Sequence, residues 1–187
     1  MRMFNSDRNG RSEENVMQKG IGKDLEALAD QDRNIRLGAV KRLADAGAPA
    51  VNLLIQAMEG AGSNDFRWYA ALALARIGQP AIEPLITALK RNRDPDFRRY
   101  GSAALGHMGE PAVDPLILAM KGADPALRGF FSAALCRIGP PAIDRLKEVY
   151  SGPDEELRQC ASLTLWGMGE AGIIEMVQAL DEDDHES

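Results

Sequence analysis

The 187 residues are 45% apolar but only 5% aromatic and carry a formal charge of −6. No stretch approaches the roughly 20 apolar residues of a membrane helix, and the two cysteines, Cys136 and Cys160, lack the paired spacing of a zinc site or disulfide framework. Five acids fall in residues 181–187, and the remainder balances 22 basic against 23 acidic residues, so it lacks the basic field of a nonspecific nucleic-acid binder.

Residues 1–20 are polar, contain glycine and have no apolar run, so a flexible arm is expected there rather than a secretory signal or a membrane span. Ile21, Leu25 and Leu28 then share one helical face. From there the pattern Arg, ten residues, Gly recurs as Arg36/Gly47, Arg67/Gly78, Arg98/Gly109, Arg128/Gly139 and Arg158/Gly169, stepping by 31, 31, 30 and 30 residues. Such a period marks a stack of small units, each too short to bury its apolar face except against its neighbours.

Counting back from each glycine, positions −12, −8, −5, −4 and −1 form a helical apolar stripe, with Ile35, Phe66, Phe97, Leu127 and Leu157 at −12 and Leu43, Leu74, Leu105, Leu135 and Leu165 at −4. Asp32, Ser63, Asp94, Asp124 and Asp154 precede this helix as N-caps. After the glycine come Pro49-Ala50, Pro80-Ala81, Pro111-Ala112 and Pro141-Ala142, and proline suits the first turn of a second helix. That helix has apolar residues at +4, +7 and +11, as in Ile82, Leu85 and Leu89. Each unit is therefore an antiparallel helix pair. A last second helix is expected at about Glu170 to Asp181, followed by an acidic, disordered tail over 181–187.

The signature, seen in Asp94, Arg98, Ala104-Leu105 and Met108-Gly109, resembles the short HEAT-like repeats of the type found in phycobilisome lyase subunits and deoxyhypusine hydroxylase. The resemblance covers Ile21 to about Leu180. It implies an all-α, right-handed α-solenoid of about five helix pairs over residues 21–180, with the Arg-bearing first helix on the concave wall. Unpaired cysteines fit a cytoplasmic setting.

Residues that the repeat does not spend on its core are the candidates for function. Positions −10, −9, −6 and −2 of the first helix lie outside the apolar stripe, and the resemblance places them on the concave wall. They yield a partner-binding set of Trp68, Tyr69, Arg76, Arg99, Tyr100, His107, Phe130 and Arg137. Aromatic and Arg side chains dominate interface hot spots, and a mixed basic and apolar floor with an acidic edge (Asp65, Asp96, Glu155, Glu156) favours a protein partner with acidic and apolar anchors. Packing of the rings between helices is the bland alternative. The five repeated Arg residues read instead as structural, bonding to inter-helix turns and neighbouring Asp side chains.

No catalytic, cofactor or metal-binding residues are expected. A di-iron hydroxylase needs several His-Glu pairs, whereas this chain has two histidines and its only His-Glu pair is His185-Glu186. No residue identifies a bilin site. A subunit of a phycobilin-lyase-like enzyme stays one alternative and a HEAT-like DNA-binding protein of the glycosylase type is the other, since Trp68, Tyr69, Arg76, Arg99, Tyr100 and Arg137 have suitable types and Asp65 or Asp96 could act as catalyst, but the near-neutral charge argues against duplex binding. The reading is therefore a non-catalytic scaffold that grips a peptide or helix.

Overall fold

A computed structural model describes residues 6–169 and 173–174, with side chains from Val16 onward. Among the described residues the chain is all α, without strands, and it divides into two compact units, residues 1–77 and 78–187.

The first unit holds α1 (Ser6–Ala27), α2 (Arg33–Ala46), α3 (Ala48–Glu59) and α4 (Asn64–Ile77). Its core is built from Ile21 and Leu28, Val40 and Leu43, Leu54, Ile55 and Met58, and Leu74. Burying each of these large side chains stabilises the fold by about 1.5–3 kcal/mol. Over residues 6–20, where a flexible arm is expected, the chain is helical. The segment contains no proline to interrupt the helix that runs into the docked turn around Ile21, although Gly10 and Gly20 lower its propensity. Val16 and Met17 on this extension remain exposed.

The second unit holds α5 (Ile82–Arg91), α6 (Pro95–Met108), α7 (Val113–Met120), α8 (Pro125–Ile138), α9 (Pro140–Tyr150) and α10 (Glu155–Gly167). First helices α6, α8 and α10 pack side by side, and α7 and α9 pack against them. Phe97, Leu105, Leu116, Met120, Phe131, Leu135 and Leu165 are fully or almost fully buried between them. The expected last helix and acidic tail lie outside the described residues, apart from Ile173 and Ile174, which are helical.

The anticipated caps are in place. Asp32, Asp94, Asp124 and Asp154 accept from free amides at the starts of α2, α6, α8 and α10, and the Ser63 Oγ accepts from the Phe66 amide at 3.5 Å. Gly47, Gly78, Gly109, Gly139 and Gly169 all have φ between 66° and 78°, the left-handed turn that separates the members of a pair.

The second helices start in two ways. α3 and α9 are continuous from the residue before their Pro-Ala pair, whereas α5 and α7 are preceded by 3-10 turns at Gln79–Ala81 and Glu110–Ala112. The cause is a second proline four residues after the first, Pro84 and Pro115, where α3 has Leu53 and α9 has Arg145. Its ring lacks a donor and crowds the carbonyl four residues back, so an α-helical first turn cannot form around it.

Three of the repeated Arg side chains tie their first helix to the turn before it. Arg36 Nη1 donates to the Asp30 and Gln31 carbonyls at 2.6 and 3.1 Å, Arg98 Nε to the Asn92 carbonyl at 2.8 Å, and Arg158 Nη1 to the Gly152 carbonyl at 3.2 Å. Repeated Arg side chains also reach the next repeat. Arg98 makes a two-pronged pair with Asp124 at 2.8 and 3.0 Å, Arg128 pairs with Glu156, and Arg36 lies 3.7 Å from Asp65. A bidentate Arg–carboxylate pair fixes both distance and rotation between helices, so this row has the structural role its periodicity implies.

Candidate functional site on the exposed stripe of the first helices

An α-helix turns 100° per residue, so a shift of one position swings a side chain from solvent towards a neighbour. In the second unit the residues facing solvent on α6 include Arg99 and His107, with Asp96 and Ala103 partly covered, and on α8 they include Ala126, Gly129, Ala133 and Arg137. These are positions −13, −10, −6 and −2, a spacing of three, four and four residues that stays on one face. Position −9 lies off that face. Tyr100 and Phe130 there are half-buried.

In the first unit the same rule separates two adjacent aromatics. Trp68 at −10 is 46% exposed, while Tyr69 at −9 is only 4% exposed. The two rings meet edge to face at 4.7 Å between centroids, and the Arg36 guanidinium lies 4.8 Å from the Tyr69 ring centre. Tyr69 is therefore part of the packing between α2 and α4, which corrects its place in the expected binding set. Arg76 is exposed.

The structure thus brings Arg99, Tyr100, His107, Phe130 and Arg137 together on two neighbouring helices, α6 and α8. Arg99 is held by Asp96 at 2.7 Å and stacks 5.0 Å from the Tyr100 ring centre, so its charge is partly spent within its own helix. Arg137 differs. Its stem lies across the backbone of α6 at Gly106, where an added Cβ would come within 2.9 Å of Arg137 Cδ and 3.1 Å of both Arg137 Cβ and the Ala134 carbonyl. Its guanidinium is exposed and forms no ion pair among the described residues. A stem that packs against a neighbouring helix, with a head that has no ion-pair partner among the described residues, leaves the guanidinium available to a carboxylate.

Gly106 was not singled out from the sequence. The signal was present, since the −3 position reads Ala44, Ala75, Gly106, Cys136 and Trp166, and its smallest member marks the closest approach of two first helices.

The electrostatics of the scaffold are structural. Hydrogen bonds from Arg98, then from the Leu127 amide, hold the Asp124 carboxyl below its ordinary pKa, and Lys121 does the same for Asp154. Burial pushes the Cys136 and Cys160 thiols up, the opposite of what a nucleophilic cysteine needs. His107 stands at the exposed end of α6, and among the described residues no group of three or more His, Cys, Asp or Glu could hold a metal ion.

A family model described as HEAT repeats matches residues 25–99, 51–121 and 82–166. The chain belongs to the HEAT-repeat family, within the all-α class of helical-repeat proteins. No curated protein matches the sequence. Solved structures with some likeness include a crystal structure of an engineered protein, at 19% identity over 85% of this chain and 86% of that one with a TM-score of 0.33. Another is a designed armadillo repeat protein in complex with the peptide (KR)4, at 15% identity over 87% and 90% with a TM-score of 0.32. Likeness at this level does not align a site. No described helix is long and apolar enough to cross a membrane.

Proposed function

We propose that this HEAT-repeat protein is a non-catalytic binding scaffold whose exposed first-helix stripe holds a peptide or helix with acidic and apolar anchors. The observation that carries the reading is the composition of that stripe on α6 and α8. Arg99, His107 and Arg137 project around the half-buried rings of Tyr100 and Phe130, while the α8 floor between them offers only Ala126, Gly129 and Ala133. Small floor residues let a partner backbone approach closely, the rings desolvate an apolar anchor, and the Arg heads pair with carboxylates. Trp68 and Arg76 supply the same two chemistries on the first unit.

The test is a displayed peptide library panned on the wild-type chain and on an Arg99→Glu/Tyr100→Ala/Arg137→Glu variant of matched circular dichroism. Clones that place Asp or Glu near Leu, Ile or Phe should be retained by the wild type alone. Enrichment of nothing, or of the same clones on both proteins, would remove this reading.

A further inference from the structure

The cations of first helices α6, α8 and α10 are nearly all committed. Arg98 is held by Asp124, Arg99 by Asp96, Arg128 by Glu156 and Arg158 by Glu155. Arg137 alone among the Arg residues of these three helices has no carboxylate among the described residues, and it is the one whose stem is pinned, against Gly106. His107 occupies the equivalent −2 position on the adjoining helix, so the two make a short polar row at one end of α6 and α8.

The third position of that row is Gly167 on α10, which bears no side chain and is exposed. The chain leaves α10 there, through Gly169 to Ile173 and Ile174, and its last seven residues, Asp181 to Ser187, hold five carboxylates and no Lys or Arg. Adjacent packed helices lie about 8–10 Å apart, so Arg137 is about one spacing from Gly167 and His107 about two. Six residues separate Ile174 from Asp181, a rise of only about 10 Å in the helix that the repeat pattern leads one to expect there, and the seven residues of the acidic run span up to about 23 Å when extended. The tether is long enough and the charges are opposite.

From this we infer that residues 181–187 dock on the Arg137–His107 row of their own chain, as an intramolecular acidic ligand that an acidic partner must displace. The contact rests on the stripe assigned above but requires no external partner. Its affinity comes from effective concentration and from charge, since a tethered segment loses little on closing and exposed pairs are screened by salt. Arg137 is the better dock because its neighbours Arg98, Arg99, Arg128 and Arg158 are already paired.

The experiment compares backbone amide NMR spectra of residues 1–187 with those of a chain ending at Leu180, each in low salt and with about 0.5 M sodium chloride. Expected are shifts in the full-length chain that centre on Gly106, His107 and Arg137, vanish in high salt, and are absent from both an Arg137→Gln variant and the truncated chain. The inference is overturned by spectra that coincide around these residues, by differences confined to α10, or by shifts that salt and Arg137→Gln leave in place. Because no partner is added, failure here leaves the binding-scaffold reading intact, and failure of the peptide selection leaves this contact standing.

Discussion

Tyr69 and Tyr100 occupy the same repeat position, nine residues before a terminal glycine, and meet different environments. In the first unit the Arg36 guanidinium comes across from α2 and covers the Tyr69 ring, with Trp68 standing against its edge, so the tyrosine is buried and the tryptophan takes the solvent-facing place. In the second unit the cation over Tyr100 is Arg99, the preceding residue of the same helix, and the ring stays half-exposed. Identical spacing therefore yields a packing residue in one unit and a candidate contact residue in the other. What decides it is whether a neighbouring helix contributes the covering group.

The largest effect should come from breaking the buried member of that comparison. Tyr69→Ala removes a buried ring and should cost about 3–4 kcal/mol, read as a lower urea midpoint for the first unit. Tyr100→Ala in the second unit should cost about 1 kcal/mol or less, as expected for a partly exposed side chain. Equal costs for the two would abolish the distinction drawn between them.

Next in size is Arg98→Ala, which removes the two-pronged pair with Asp124 and the bond to the Asn92 carbonyl. A loss of about 2–3 kcal/mol is expected, on the scale of hydrogen bonds to charged groups, and thermal unfolding monitored by circular dichroism measures it. Gly106→Ala should follow at about 1–2 kcal/mol, because the new methyl group meets the Arg137 stem and the Ala134 carbonyl. Its second consequence is more specific, since displacing Arg137 should weaken any ligand of the stripe even where stability is restored by lower temperature. For the stability effect alone Gly129→Ala is the control, because an added Cβ there meets nothing within 4 Å.

The smallest effect is a pH dependence. Asp124 and Asp154 have folded pKa values below the unfolded carboxylate value of about 3.9, so their stabilisation is complete above that value and is lost as pH falls through the lower folded values. Stability measured by urea unfolding should thus decline on acidification below about pH 4. Asp124→Asn, which keeps an oxygen to cap α8, should flatten that decline, and an unchanged acid limb would count against the Arg98–Asp124 pair as its source.

Much of the fold was legible because each repeat states its own boundaries. An Asp or Ser whose oxygen caps a first helix, a glycine that must adopt positive φ, and a proline suited to a first turn are local requirements, satisfied by residues within a few positions of one another. The 3-10 starts of α5 and α7 could have been read from Pro84 and Pro115 by the same reasoning. The helical extension over residues 6–20 was less legible, since polar composition is common to exposed helices and arms, and only docking of Ile21 and Leu28 supplies the nucleus from which it propagates.

The candidate site divides along the same line. The residue types that could engage a partner, Trp68, Arg76, Arg99, His107 and Arg137, were fixed by the sequence once the glycines set the register, because the −10 and −2 positions fall opposite the apolar stripe whatever the neighbours are. The sequence by itself thus determined the repeat, the helix pairs, their caps and the list of chemistries on the exposed face. Only the tertiary structure decided that Tyr69 is packing, that Tyr100 and Phe130 are half-available, and that the Arg137 stem packs against Gly106. These outcomes depend on how far each helix is rotated about its axis and how closely two helices approach, and both are set by contacts between residues about 30 positions apart.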